Sequence, residues 1–255
     1  MGDQLRRALF AGSWYPETAA ACEAEIERFL AAAPPRESGI PNPVGGIVPH
    51  AGWVYSGAVA CEVVQALAAG PPPDVVAVFG SHLHASSPRV LMPAGAWDTP
   101  FGPLPVAAEL AAELSARFPF RIETPARFAQ DNTIELQLPF VKYFFPDAAL
   151  LAAGLAPTEA SLRVADFVVD ACRRRGLGLR VLGSTDLTHY GEHYGFSGHG
   201  AGPRAVRWVR DENDRAVIEA MLALDPQRVM AEASSRQNAC CPGAAAAAIQ
   251  AGRSL

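Results

Sequence analysis

Apolar residues along this chain fall into short, largely unbroken runs, separated by stretches with helical spacing. The runs are Val44–Val48, Val75–Phe79, Val90–Met92, Leu150–Gly154 and Leu179–Leu182. Runs this short and rich in β-branched residues suit strands covered on both faces, because a strand with one wet face would alternate. The intervening periodicity predicts helices over Glu17–Ala32, Ser56–Ala69, Val106–Phe118, Glu135–Phe145 and Thr158–Arg175, then over Glu212–Leu224, Pro226–Ser234 and Gly243–Ala251. Their boundaries carry stop and cap signals. Pro34-Pro35 follows the first helix, Gly70 the second and Pro146 the fourth, and the fifth opens on a Thr-x-x-Ser cap region. Three arginines close that fifth helix, at the negative end of its dipole. The alanine run Ala244–Ala248 is of low complexity but reads as helix, alanine being the best helix former. Gly-Pro-rich stretches at 33–46, 70–73 and 93–105 predict loops, none long or polar enough to be an interdomain linker. No internal repeat is present. Strand–helix–strand alternation predicts a three-layer α/β domain, and residues 1–255 read as one domain.

Composition narrows the function classes. The chain has 255 residues, 50% of them hydrophobic and 18% charged, and a net charge of −5. High apolar content with low charge excludes a disordered chain. With no Lys/Arg block, and Lys142 as the one lysine, a nucleic-acid partner is not expected, since phosphate neutralisation needs clustered cations. The start of the chain lacks the apolar core of a signal peptide, and no apolar run approaches the ~18 residues of a membrane span. Arg6 stands where a myristoylation motif wants Ser or Thr. Five cysteines, Cys22, Cys61, Cys172, Cys240 and Cys241, show no disulfide ladder, redox motif or zinc-knuckle spacing. Reduced thiols in a cytoplasmic protein are the expectation.

The histidines carry the chemistry. Val44–Val48 runs into Pro49-His50-Ala51-Gly52, Val75–Phe79 into Gly80-Ser81-His82, and Leu179–Leu182 into Gly183-Ser184-Thr185-Asp186-Leu187-Thr188-His189. In α/β sheets, sites form outside the carboxyl ends of strands. Three parallel strands ending this way bring His50, His82, Asp186 and His189 into one crevice. A single histidine at a strand end is ordinarily a hydrogen-bonded loop residue; three such strand ends together point to metal. Neutral imidazoles with a carboxylate suit Fe(II), Zn or Mn. Asp186 and His189 can complete the coordination, orient a ligand imidazole, or act as acid and base. His84 reads as a rim residue, and His193 and His199 as part of a solvated Gly-rich loop over 191–202. Asp131 or Asn132 reads as a helix cap, with Glu135 in the first turn. Cys240-Cys241 precedes a helix, where a thiol can ionise more easily, but inert burial is the default. Trp14, Tyr15, Trp53 and Tyr55 sit among Gly and Pro as loop aromatics that line a pocket or pack in the core. Phosphate-loop, dinucleotide and serine-hydrolase motifs are absent.

Several motifs occur in an order that resembles the Memo family: Phe10-Ala11-Gly12-Ser13-Trp14-Tyr15-Pro16, Val48–Gly57, Gly80-Ser81-His82, Trp97–Gly102, Ile134–Phe140 and Ser184–Gly191, with a weaker match over Asn238–Ala251. The resemblance implies the fold of the LigB-like class III extradiol dioxygenases, a central mixed sheet flanked by helices, with a non-haem iron site. It implies His50 and His82 as metal ligands, with Fe(II) or another divalent ion, and Asp186 and His189 as catalytic groups beside it. Trp14, Tyr55 and Asn132 are then pocket residues. A metal-dependent oxygenase or redox enzyme follows, or, in the same pocket, a non-enzymatic protein that binds a small molecule or peptide. There are departures. Asn132 stands where the family usually has His, and an amide cannot act as a base. The family's third ligand, a cysteine, is expected in a C-terminal strand region beyond Leu255, and Cys240 and Cys241 are expected to match an earlier cysteine, not that ligand. A sheet edge lacking that strand can be covered by a second copy in a homodimer.

Overall fold

The computed structural model describes residues 4–32 and 40–255; part of the expected loop over 33–46 lies outside them. All five apolar runs are strands of one sheet. β2 (Gly45–Val48), β3 (Val75–Gly80), β8 (Ala149–Gly154) and β9 (Leu179–Ser184) form its parallel core. β4 (Val90–Leu91) pairs antiparallel with β8, and β7 (Arg121–Ile122) extends the edge, so the strand order is β2-β9-β3-β8-β4-β7. The six residues of each long central strand are buried or nearly so, which is why they read as continuous apolar runs.

The expected loop over 93–105 is in part β structure. β5 (Ala96–Trp97) and β6 (Leu104–Pro105) pair with β1 (Leu5–Arg6) in a second, three-stranded sheet. Two-residue strands held by their partners leave no periodicity to read. The expected helix over Glu135–Phe145 is also two pieces, α4 (Asn132–Glu135) and α5 (Leu138–Phe144), with Pro139 opening the second. Proline is accepted in a first turn, where its missing N–H has no partner to lose.

Two glycines show how helices approach the sheet. Gly46 and Gly183 sit one register step apart on β2 and β9, so their missing side chains point to opposite faces. A Cβ on Gly46 would lie 2.4 Å from Val63 of α2 (Trp53–Ala68); one on Gly183 would lie 2.7 Å from the Ala244 carbonyl and 2.7 Å from Ala248 Cβ of α10 (Pro242–Ser254). Helices therefore flank the mixed sheet on both faces at this point. The alanine run is explained by the same contact: Ala244–Ala248 are buried because only small side chains let α10 lie this close to β9. On its outer side α10 packs on α6 (Glu159–Arg175) and α9 (Pro226–Arg236). The three arginines do close α6, and Gly176 caps it in the left-handed conformation at φ 67°.

Among the described residues, no helix is long and apolar enough to cross a membrane.

Candidate metal centre

The carboxyl ends of β2, β9 and β3 lie side by side, with Val48 opposite Ser184 and Phe79 opposite Gly183. The segments leaving them carry His50, Asp186 and His82 to one place. The His50 and His82 rings meet edge to face, with centroids 4.9 Å apart. The convergence expected from three His-bearing strand ends is therefore present.

The larger finding is a correction. Cys240 and Cys241, expected to match an earlier cysteine of the family and not its ligand, stand beside the two imidazoles. Donor atoms of His50, His82, Cys240 and Cys241 all lie within 4.8 Å of one another. Cys240 Sγ is 3.2 Å from His50 Nε2, Cys241 Sγ is 3.3 Å from His82 Nδ1, and the two sulfurs are 3.8 Å apart. A tetrahedral ion with metal–sulfur bonds near 2.3 Å places two thiolates about 3.8 Å apart and a thiolate and an imidazole nitrogen about 3.5 Å apart. These three spacings are close to those that one tetrahedral ion requires.

Each ligand candidate is held from behind. The ring of His50, almost fully buried, has Ser184 Oγ 3.0 Å from Nδ1. If Nδ1–H donates to that hydroxyl, Nε2 presents its lone pair to Cys240 and the cluster. His82, on the open side, has Asn132 Oδ1 3.4 Å from Nε2, which leaves Nδ1 for the cluster. The Asn132 amide also donates to the His50 carbonyl at 3.1 Å, so one side chain ties both histidine segments together. Ser81, just before His82, has φ 71°, an uncommon conformation for a residue with a Cβ. It is held there by its N–H, which donates to Thr133 Oγ1 at 2.6 Å, and by its hydroxyl, which bonds Asp131. Asp131 is the N-cap of α4, accepting from Thr133 N and Ile134 N. α4 can lie over the end of β3 because Gly80 has no side chain: a Cβ there would sit 2.2 Å from Thr133 Oγ1.

The cysteines are placed by a second framework. A π-helical turn at Val209–Asn213 points the Asn213 amide inward, where it donates to Thr188 Oγ1 at 2.9 Å and to the Arg236 carbonyl at 3.1 Å. Buried Asn238 donates to the Asn213 carbonyl at 2.8 Å. The chain then reaches Cys240, whose N–H donates to the Asp186 carbonyl at 3.1 Å, while the Asp186 N–H donates back to Cys240 Sγ at 3.2 Å. Cys241 stands at the N-cap position of α10.

Electrostatics follow from this crowding. A hydrogen bond from Cys241 holds the Cys240 thiol well below its ordinary range, against the opposing effect of burial, with His50 and His82 assisting. The Cys241 thiol is pushed up, first by its bond to Cys240 and then by burial. The Cys240 sulfur raises His82. Burial alone would raise Asp186, but His189 and His50 together hold it below the usual carboxylate range. The Asp186 bond in turn raises His189.

Asp186 does not sit among the four donors. Its Oδ1 accepts the His50 backbone N–H at 2.7 Å, and its Oδ2 lies 3.6 Å from His189 Nε2 and 3.8 Å from His50 Nε2. His189 stacks on Tyr194, with centroids 5.0 Å apart. His50, His82, Asp186 and His189 line a cleft of about 1000 Å³, whose walls also include Trp14, Tyr55, Asn132 and Tyr194. Tyr55 and Trp53 belong to the first turn of α2 and not to a loop as expected. Trp53 goes to the core, stacked on Phe140 at 4.1 Å, while Tyr55 stands 86% exposed at the cleft mouth. His84 is exposed and bonded to Ser86, and exposed His199 stacks on Trp208; neither reaches the cleft.

A family model described as Memo-like protein matches residues 6–254. A MEMO1 family protein of Pyrococcus furiosus is 28% identical over 247 residues, which span 94% of this chain and 84% of that protein. One of Metallosphaera sedula is 34% identical over 204 residues, 74% of this chain and 71% of that one. A third, of Caldivirga maquilingensis, is 30% identical over 184 residues, 71% of this chain and 60% of its own length.

Proposed function

Because the chain belongs to the Memo family, we propose that it is a metal-dependent protein in which His50, His82, Cys240 and Cys241 hold one thiophilic ion, with Asp186 and His189 as the acid–base pair beside it. The observation that carries this reading is the set of four donor atoms within 4.8 Å. Iron(II) is the ion implied by the resemblance; two sulfurs and two nitrogens also suit zinc(II) and copper(I). Bound there, the ion supplies Lewis-acid or redox chemistry to a ligand in the cleft.

The protein's own groups have separable tasks. His189 is partly exposed at the cleft and takes or delivers a proton at Nε2. Asp186 orients that ring and favours its protonated form. Asn132 orients His82 and, as an amide, moves no proton. Trp14 and Tyr55 offer aromatic surface to a small molecule or peptide. The LigB-like, three-layer architecture belongs to the same reading, supported by α2 and α10 on opposite faces of the sheet. A reducing, cytoplasmic compartment suits it, since all five cysteines are unpaired.

A non-enzymatic binding protein is the second reading, and one observation favours it: four protein donors close a tetrahedral site, whereas catalytic ions keep a position open. Elemental analysis of freshly purified protein, followed by oxygen-uptake assays with catechol-type substrates on iron-loaded protein, separates the two. About one ion per chain with uptake that His189→Ala abolishes supports the enzyme. One ion per chain without uptake supports the binding protein. A chain that takes up none of the three ions contradicts both.

A further inference from the structure

Two cysteines adjacent in sequence have sulfurs 3.8 Å apart, directly behind His50 and His82, which line an open cleft. We propose that Cys240 and Cys241 form a reversible vicinal disulfide when a hydroperoxide enters the cleft, and that this oxidation releases the ion. Release rests on the metal reading above; disulfide formation does not.

The geometry distinguishes the two sulfurs. Cys240 is partly exposed, and its sulfur is held by the Asp186 N–H at 3.2 Å and faces His50 Nε2 at 3.2 Å. Cys241 is buried behind it. Cys240 is therefore the sulfur that meets an oxidant first, and Cys241 the one placed to resolve the product. In the first step Cys240 sulfur attacks the O–O bond of hydrogen peroxide; one oxygen stays on sulfur as the sulfenic acid and the other leaves as water. In the second, Cys241 sulfur attacks Cys240 sulfur, the S–O bond breaks, and the hydroxyl leaves as water with the thiol proton. The balance is two thiols and one peroxide to one disulfide and two waters, each sulfur losing one electron. With the ion bound, solvent supplies the two protons.

Adjacent residues place their Cα atoms about 3.8 Å apart, closer than the 4.4–6.8 Å of ordinary disulfides. The bridge is therefore strained, and strained bridges are the easily reduced, regulatory kind. Once formed it removes both thiolates and leaves, of the four donors, only His50 and His82, which hold a thiophilic ion far more weakly. Cys22, Cys61 and Cys172 are buried elsewhere in the core, so they compete little for the oxidant.

The test treats metal-free and zinc-loaded protein with about one equivalent of hydrogen peroxide. Intact mass and peptide mapping are read beside zinc capture by a chromophoric chelator. The expected result in both forms is loss of two hydrogens, confined to the peptide holding Cys240 and Cys241 and reversed by dithiothreitol. Zinc is released one for one with the bridge. In Cys241→Ser, Cys240 is expected to persist as a sulfenic acid that dimedone labels. A stable sulfinic acid on Cys240, a bridge between chains, or an unchanged peptide mass overturns the proposal. If the metal-free protein forms the bridge but the reduced chain never takes up zinc, the metal reading fails and the disulfide stands.

Discussion

Alanine in place of His50 is expected to lower affinity for zinc(II) or iron(II) by well over the 10–100-fold that removal of an outer partner alone typically costs. His50 is 1% exposed and is the donor fixed on every side: Ser184 Oγ at 3.0 Å, Cys240 Sγ at 3.2 Å and Asp186 Oδ2 at 3.8 Å. Its removal leaves three donors and a hole into which no neighbour swings a replacement, since Asp186 is already engaged by the His50 main chain and by His189. The main-chain N–H that bonds Asp186 survives the substitution, so the strand-end loop keeps its anchor. Competition with a chelator of known affinity measures the loss. His84→Ala, exposed and bonded only within its own turn, is the control and keeps wild-type affinity. Wild-type affinity in His50→Ala would mean that the ion, if any, sits elsewhere.

The second large effect concerns stability. Arg6 on β1 is 2% exposed, and its Nη1 bonds Glu123 Oε2 at 2.6 Å while Nη2 donates to the Ala129 carbonyl at 3.0 Å. Its guanidinium lies between the rings of Trp97 and Phe128, 3.7 and 4.1 Å from their centroids. Burial pulls the guanidinium below its ordinary value, with Glu123 opposing. Arg6→Ala leaves a buried carboxylate without its cation, which costs about 3–5 kcal/mol and lowers Tm by roughly 6–20 °C in a chain of this size. The lower end is expected, because Arg121, half exposed, stands 3.5 Å from the same carboxylate and takes part of the charge. Arg6→Met with Glu123→Gln recovers most of the loss, since no unpaired charge remains. Thermal and urea unfolding of the three variants checks this. A loss under about 1 kcal/mol for Arg6→Ala would class the pair with screened surface bridges.

Much of this was legible from residues. Central strands announced themselves because burial on both faces leaves no alternation, and the His-bearing strand ends converged because neighbouring parallel strands finish at one edge. The second sheet was illegible: Leu5–Arg6, Ala96–Trp97 and Leu104–Pro105 are too short for a period, and Arg6 is an unpromising core residue until Glu123 is seen beside it. The sulfur half of the site was missed for a related reason. Cys240 and Cys241 lie far along the chain from both histidines, and their approach depends on the Asn213–Asn238 bond and on how deeply α10 sinks onto Gly183. Two cysteines directly before a helix of small residues were the available signal: such a helix packs close to a sheet, and its N-terminus then lies near the strand ends.

One ion shared by two imidazoles and two sulfurs is the central claim, and X-ray absorption at the metal edge of zinc-loaded protein tests it most directly. Two sulfur scatterers near 2.3 Å and two nitrogen scatterers near 2.0–2.1 Å are expected, with one sulfur lost in Cys240→Ser. A first shell of nitrogen and oxygen alone would contradict it.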